Sequence, residues 1–211
     1  MDAIEGQKYF YPNRWARIIL TSAEEIVGAK GVTALLNMAG LQKYINNYPP
    51  DNMNKEFSFT EIGKLQQAFW DMYGPRGARV FAIRAGRQSF KDGLTSFGTV
   101  ARAAQMTMKL GTMEQRIKAG LIFFGKFFNN VSDQVVRVDE DDEYWYWFIE
   151  KDPLSCGRTS DKPVGHLAIG VLQGALHWAS AGKEFRIMQT QCISMGDAES
   201  KFAIEKKPIE D

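Results

Sequence analysis

Apolar residues recur at intervals of three and four through the first two thirds of the chain, a spacing typical of amphipathic helices. Glycines, prolines and turn-forming residues interrupt this pattern. Ser58 and Glu61 stand three apart, as in a capping box at the start of a helix, and Pro75 suits the first turn of another. The predicted helical segments are NRWARIILTSAEEIVGAKG, VTALLNMAGLQKYI, IGKLQQAFWDMYG, RGARVFAIRAGRQSFKDGLTSFG, TVARAAQMTMKL and MEQRIKAGLIFFGKFFNNV. The pattern therefore predicts about six helices before the first strand.

The pattern changes at Ser132 to that of two β-hairpins separated by a helix. The segment DQVVRVDEDDEYWYWFIEKDP contains a β-branched run, an acidic turn and an aromatic run that ends at Pro153. Helical spacing returns between Pro163 and Gly182, and EFRIMQTQCISMGDAESKFAIEKKPIE then has the pattern of strand, tight turn and strand. Helices followed by two hairpins around a helix predict an α+β fold with an antiparallel sheet of about four strands.

These elements predict one domain over residues 1–211, with a mainly helical part at 1–131 and a hairpin–helix–hairpin core at 132–211. A chain of 211 residues, of which 45% are hydrophobic and 24% charged, is able to bury one sizeable core. The N-terminal sequence lacks the basic and apolar regions of a signal peptide, and no apolar run approaches the roughly 20 residues that a membrane helix needs. We therefore expect a cytoplasmic protein without an integral membrane segment.

Charge and motif content argue against several classes of function. Lysine and arginine together number 26 and aspartate and glutamate 25, so no overall basic field attracts nucleic acid, and no nucleic-acid partner is expected. Neither of the phosphate-binding patterns GxGxxG and GxxxxGK[ST] occurs. The acidic stretch from Asp139 to Glu143 lacks the glycine and glutamate that a calcium loop requires, which favours a solvated hairpin turn.

The two cysteines and two histidines do not form a metal-binding motif in the sequence. Cys156 and Cys192 are far apart without CxxC spacing, and His166 and His177 stand about 16 Å apart along a helix, too far to share one ion. Cys156, His166 and Cys192 could meet only through tertiary folding, and a structural zinc usually has four Cys or His ligands. Cys192 lies within a predicted strand, without a helix N-terminus or a fixed base to activate its thiol, so a nucleophilic role is not expected.

Two aromatic segments leave alternative interpretations open. The strand from Tyr144 to Ile149 is apolar on both faces. In one interpretation it is a central strand whose two faces are covered by two layers of helices, or by one layer of helices and a second subunit. In the other interpretation it forms a wall of a hydrophobic ligand chamber. The helical segment LIFFGKFF is apolar nearly all round, and a dimer interface, a ligand channel or both would cover it.

The stretch from Asp161 to Ile209 follows the pattern DxPVxHLAxGxLQxALxWxSxGKEFxxxxTxCxxxGDxxxxFxIxxxPI, which resembles the 4-vinyl reductase, or hydrocarbon-binding, domain family. The segments NRWxRIIL, NYPPDN, MYGPRGAR and VSDQ extend the resemblance over almost the whole chain. The resemblance implies a fold similar to the subunits of the transport protein particle (TRAPP) and, more distantly, to haem–nitric-oxide-binding sensor domains. It also implies a homodimer and an enclosed hydrophobic chamber for fatty-acyl, aromatic or tetrapyrrole-related ligands.

Zinc binding in this family is associated with cysteines after the first hairpin and around the final turn. Here Cys192 keeps its place, Ser200 occupies the later cysteine position, and Gln189 and Gln191 stand where an acidic ligand would be expected. Serine and glutamine are poor replacements for thiolate and carboxylate at zinc. We therefore expect no metal, with Cys156 and Cys192 as the remnants of a degraded site.

The leading hypothesis is a non-catalytic or accessory domain, without a cofactor, that binds an apolar, hydrocarbon-like or tetrapyrrole-like small molecule and forms a homodimer. The predicted ligand-binding residues are Phe123, Phe124, Phe127, Trp145 and Trp147. An alternative, also implied by the resemblance, is an 8-vinyl reductase of bacteriochlorophyll synthesis or its subunit, with the redox cofactor supplied by a partner because this chain has no cofactor motif. A third hypothesis is a purely dimeric assembly module.

Overall fold

The computed structural model describes residues 5–107 and 111–209 and shows an α+β fold, as predicted. The α-helices of these residues are α1 Asn13–Met38, α2 Phe59–Ser96, α3 Gly98–Thr107, α4 Met113–Val131 and α5 His166–Ala179. The strands are β1 Phe10–Pro12, β2 Lys55–Ser58, β3 Val136–Glu140, β4 Tyr144–Ile149, β5 Phe185–Gln191 and β6 Ser200–Pro208. In the part of the chain that is described, no helix combines the length and the apolar character needed to cross a membrane.

The larger sheet has four antiparallel strands in the order β3-β4-β6-β5, which confirms the sheet predicted from the two hairpins. The hairpins are β3-β4 and β5-β6, and they join where β4 pairs with β6. Trp147 of β4 therefore lies between Val138 and Phe202. A second sheet pairs β1 with β2, with Tyr11 opposite Phe57, and the sequence analysis did not predict it.

Two of the four continuous helical stretches before β3 within the described residues, α1 and α2, each consist of two helices joined at a kink. Predicted helix boundaries fall at Gly28 and Gly74, and at both positions the backbone leaves the helical conformation, with φ of 75° and 66°. Glycine adopts positive φ without a steric penalty because it has no Cβ atom, so the chain bends and the helix resumes at once. The predicted extension of the fifth helix over residues 108–110 lies outside the described residues.

The start of α2 shows the predicted capping box. The Ser58 hydroxyl accepts a hydrogen bond from the Glu61 backbone N–H at 3.3 Å, and the Glu61 carboxylate accepts one from the Ser58 N–H at 2.7 Å. These two bonds satisfy backbone donors that the first helical turn leaves without a partner. The local sequence thus sets where α2 begins.

Helices α2 and α5 cross in backbone-to-backbone contact at two glycines. A Cβ atom added to Gly86 would lie 2.3 Å from the Leu167 carbonyl oxygen, and one added to Gly170 would lie 2.2 Å from the Ile83 carbonyl oxygen. Real Cβ atoms do not approach carbonyl oxygens so closely, so the crossing requires glycine on both helices. This contact holds α5 against α2 and brings the side chains on either side of the crossing close together.

Strand β4 is an interior strand with two different faces. Trp145, Trp147 and Ile149 are buried in the core. On the opposite face, the Arg137 guanidinium lies 3.7 Å from the centroid of the Phe148 ring, and the Lys201 ammonium lies 3.9 Å from the centroid of the Tyr146 ring. Long cationic side chains, which the sequence pattern did not predict, therefore cover part of the outer face through cation–π contacts.

Candidate ligand-binding site

A cavity lies among α2, α3, α4 and α5 and the inner face of β4. The centre of a water-sized sphere can occupy about 80 Å³ of it, several times the space that one water molecule needs. Most of its wall is aromatic or aliphatic, and the aromatic part includes Trp15, Phe90, Phe97, Phe124, Phe127 and Trp147. The rings contact one another edge to face, with Phe97 and Phe127 centroids 5.1 Å apart.

Two polar side chains on the cavity wall bind each other. The Tyr11 hydroxyl donates a hydrogen bond to Gln134 Oε1 at 2.8 Å. Burial, with a smaller contribution from the negative charge of Asp152, raises the pKa of Tyr11 well above its usual value. The hydroxyl therefore remains protonated and stays a donor to Gln134. An apolar molecule in the cavity leaves this bond intact.

The structure brings three of the five predicted ligand-binding residues to the cavity. Phe124, Phe127 and Trp147 line it. Phe123 lies outside the lining, with its ring 5.7 Å from that of Phe124. Trp145 faces the same side of β4 as Trp147, but it is only 1% exposed and packs against other core side chains instead of the cavity. Ligand binding by these residues stays a prediction.

Sequence reasoning missed the contributions of α1, α2, α3 and α5 to the wall. Phe90 and Leu94 of α2 and the C-cap residue Phe97 follow one another at helical spacing, and Val171 and Ala175 do so on α5. This spacing indicates a buried face, but a buried face packs against solid core in the same way as it lines a cavity. The signal in the sequence was therefore present but not specific.

The two cysteines lie in different surroundings. Cys156 Sγ is 3.9 Å from the Thr60 hydroxyl at the start of α2. Cys192 Sγ lies 3.6 Å from the Ser155 hydroxyl and 3.1 Å from the Ser194 hydroxyl. Cys192 therefore belongs to a buried polar cluster in which serine hydroxyls are the nearest groups.

Asp152 is the buried carboxylate of this cluster. It accepts hydrogen bonds from the Ser200 hydroxyl at 2.6 Å, from the Ser155 hydroxyl at 2.9 Å and from the Leu154 N–H at 2.9 Å. Burial raises the pKa of Asp152, although these donors act in the opposite direction. Among the described residues, no group of three or more His, Cys, Asp or Glu side chains is placed to hold a metal ion. Ser200 thus serves as a hydrogen-bond donor to Asp152.

The two histidines lie at opposite ends of α5. His177 is exposed in its last turn, where its Nδ1 atom is 3.1 Å from the Glu184 carboxylate. His166 is the first residue of the helix and is largely buried, and its Nδ1 atom has no hydrogen-bond partner in the described part of the chain. Burial, and to a lesser extent the positive charges of Arg79 and Arg158, lowers the pKa of His166 from 6.5 to about 4.

We expect stability to decrease in acid because of His166. Its folded pKa is lower than its unfolded pKa, so the unfolded chain binds more protons between pH 6.5 and 4. The free energy of unfolding should therefore fall by about 2 kcal/mol between roughly pH 7.5 and pH 5, beyond the change caused by other groups. Denaturant unfolding of the wild type and of His166→Gln at both pH values measures this difference. Equal losses in wild type and His166→Gln would contradict the assignment.

Comparison with solved structures shows a fold similar to that of H-NOX proteins. An H-NOX protein from S. oneidensis in the Fe(II)NO ligation state has a TM-score of 0.58 and 14% sequence identity, with 92% of this chain and 99% of that chain covered. An oxygen-binding H-NOX domain related to soluble guanylate cyclases has a TM-score of 0.56 and 10% identity, with 92% and 94% covered. An H-NOX protein from K. algicida in the Fe(II) unliganded state has a TM-score of 0.54 and 14% identity, with 93% and 97% covered.

No protein-family model matches this sequence, and no curated protein matches it either. The likeness to H-NOX structures concerns the fold, because the sequence identities are low. The predicted likeness to haem–nitric-oxide-binding domains is confirmed at that level, and the finer resemblances to the 4-vinyl reductase family and to TRAPP subunits remain predictions. The chain has an α+β fold similar to that of H-NOX proteins over almost its whole length.

Proposed function

We propose that this protein is a small-molecule-binding domain that takes a compact apolar ligand into the cavity among α2–α5 and β4. The observation that carries the proposal is the cavity itself, a space with an almost wholly aromatic and aliphatic wall. Ligand pockets are typically concave, apolar and few in number. A polar ligand would lose its hydrogen bonds to water on entry, because the polar side chains Tyr11 and Gln134 already bind each other.

Haem is a poor candidate for this cavity. Haem iron is held in proteins by His, Cys, Met or Tyr side chains. The described residues that line the cavity include no His, Cys or Met, and the Tyr11 hydroxyl is a protonated donor to Gln134. Both histidines of the chain, His166 and His177, lie outside the lining. These residues support a hydrocarbon-like or aromatic ligand in place of an iron tetrapyrrole.

The test of this function compares two alanines on α3. Ala101 lines the cavity, whereas Ala103, on the same helix, is exposed. Ala101→Leu places a longer apolar side chain in the ligand space and should weaken binding of toluene by about tenfold or more, which corresponds to about 1.4 kcal/mol. Ala103→Leu makes the same chemical change outside the cavity and should bind toluene like the wild type. Isothermal titration calorimetry and tryptophan fluorescence measure both affinities.

Thermal unfolding provides an independent measurement. A ligand present at about 100 times its dissociation constant stabilises the native state by roughly 2.7 kcal/mol, which raises the melting temperature detectably. Toluene, indole and cyclohexane sample aromatic and aliphatic ligands of compact size. If all three leave fluorescence and melting temperature unchanged, the proposal is wrong.

We also propose a homodimer that uses the outer surface of α4. Ile122 is 37% exposed, and Phe123 next to it is half-buried, so part of the apolar surface of LIFFGKFF reaches solvent. Exposed apolar surface of this kind is typical of an interface between subunits. We expect sedimentation velocity at micromolar concentration to show a dimer and Ile122→Lys to shift the species towards monomer. Lys64→Gln, at an exposed position of α2, is the control and should remain dimeric, and a wild-type monomer would contradict the proposal.

A further inference from the structure

A second groove adjoins the cavity across Phe90 and Leu94, which line both spaces. The groove runs between α2 and α5, and the centre of a water-sized sphere can occupy about 490 Å³ of it. Its other lining residues are mostly polar or charged, in contrast to the wall of the cavity. The apolar cavity and the polar groove are therefore separated by a partition of side chains that line both spaces.

The groove carries an excess of positive charge. Arg84, Arg87 and Lys91 line it from α2, and Glu184 is the carboxylate that faces them. Arg87 is already engaged, because it donates to the Glu184 carboxylate at 3.0 Å and to the Gln173 side-chain oxygen at 2.9 Å. Arg84 and Lys91 form no ion pair within residues 5–107 and 111–209, so two cationic groups remain available to a ligand.

The partition between the groove and the cavity consists mainly of aromatic rings. Trp178 lines the groove, Phe124 lines the cavity and Phe90 lines both. The Phe90 and Phe124 centroids are 5.4 Å apart, and each lies 6.1 Å from the Trp178 ring. The three rings contact one another, so a ligand that reaches from one space to the other requires at least one ring to move aside and has its polar end towards the groove.

We propose that the physiological ligand is an amphipathic organic carboxylate, with its apolar body in the cavity and its carboxylate in the groove beside Arg84 and Lys91. This inference rests on the function proposed above and specifies the class of ligand. Guanidinium and ammonium groups form charge-assisted hydrogen bonds with carboxylates. The groove is open to solvent, so the ionic contribution is moderate and weakens as salt is added. The small cavity favours a body about the size of one aromatic ring.

Phenylbutyrate and phenylbutanol form the matched pair of probes, since they share the aromatic body and differ in the head group. We expect the intact protein to bind phenylbutyrate about fivefold or more tightly than phenylbutanol at low salt, with the difference reduced at high salt. The double variant Arg84→Gln/Lys91→Gln should remove this preference and leave phenylbutanol binding unchanged. Lys64→Gln/Arg76→Gln removes the same charge from exposed positions of α2 outside the groove and should behave like the wild type.

The outcomes distinguish this inference from the proposed function. Equal binding of the two probes to the wild type, or an unchanged preference in the double variant, overturns the carboxylate assignment and leaves the apolar site standing. Binding of phenylbutyrate that Ala101→Leu does not weaken also overturns the inference, because the ligand then occupies the groove alone. If neither probe binds and toluene does not bind, the proposed function itself fails.

Discussion

Replacing Gly170 by alanine is expected to lower the free energy of unfolding by about 3 kcal/mol, at the upper end of the usual cost of overpacking. The added methyl group would lie 2.2 Å from the Ile83 carbonyl oxygen and 2.9 Å from the Gly86 Cα atom. Both are backbone atoms of α2, so no side-chain rotation relieves the clash. The two helices must separate, which opens a gap between the apolar side chains around the crossing. Denaturant unfolding of the variant and the wild type measures the loss.

Gly174→Ala is the matched control for this prediction. It lies one turn further along α5, and a Cβ atom there would meet the side chain of Phe90 at 3.0 Å, with no backbone atom among its nearest neighbours. The nearest atom is Phe90 Cβ, and a shift of a few tenths of an ångström relieves this milder contact, so we expect a loss of about 1 kcal/mol or less. Both substitutions gain the same helix propensity. The difference between their losses of unfolding free energy therefore reports the cost of the backbone contact. Equal losses at the two positions would show that the backbone contact does not limit the packing.

Trp145→Ala is expected to cost about 3–5 kcal/mol of stability, the usual range for removing a large aromatic side chain from a core. Trp145 is 1% exposed, lies opposite Ile204 on β6 and contacts the Phe185 ring at a centroid distance of 6.2 Å. Its side chain is fixed on all sides, so the vacated space cannot collapse fully. Thermal and denaturant unfolding measure the effect.

Trp147→Ala, two positions along the same strand, separates stability from ligand binding. Trp147 borders the cavity, so its removal enlarges the ligand space as well as weakening the core. We expect Trp147→Ala to change the affinity for toluene and Trp145→Ala, measured under conditions where it is folded, to leave that affinity close to the wild-type value. If Trp145→Ala instead changes the affinity for toluene and Trp147→Ala does not, then Trp145 contributes to binding, as the sequence analysis predicted.

The start of α2 and the hairpin turn after β3 were accessible to sequence reasoning because they depend on contacts a few residues apart. The Ser58–Glu61 capping box forms as predicted. In the turn, the Asp141 carboxylate accepts hydrogen bonds from the Glu143 and Tyr144 N–H groups at 2.9 and 2.8 Å, which gives the acidic stretch a role within the turn itself. Such contacts follow from residue type and spacing alone.

The paired strands β1 and β2 were missed for the opposite reason. They are short, and Tyr11 pairs with Phe57, far away in the chain. A strand of three or four residues is too short to show an alternating pattern, and its pairing depends on how α1 returns the chain to its starting point. The sequence indicated helix boundaries at Gly28 and Gly74 but not that the chain bends there and continues as a helix, because a glycine that ends a helix and a glycine that bends one look the same in the sequence.

The sequence by itself determined the α+β class, the two hairpins and the order of elements, because periodicity and turn residues act over short distances. It also determined the abundance of apolar side chains that any internal site would need. Only the tertiary structure decided which of those side chains face empty space. Trp145 and Trp147 share one face of β4, yet Trp147 lines the cavity and Trp145 is packed in the core. Whether a buried ring contacts another ring or borders a void depends on how closely α2 and α5 approach each other and on where α3 and α4 lie. The positions of these helices are set by contacts between residues that are far apart in the sequence.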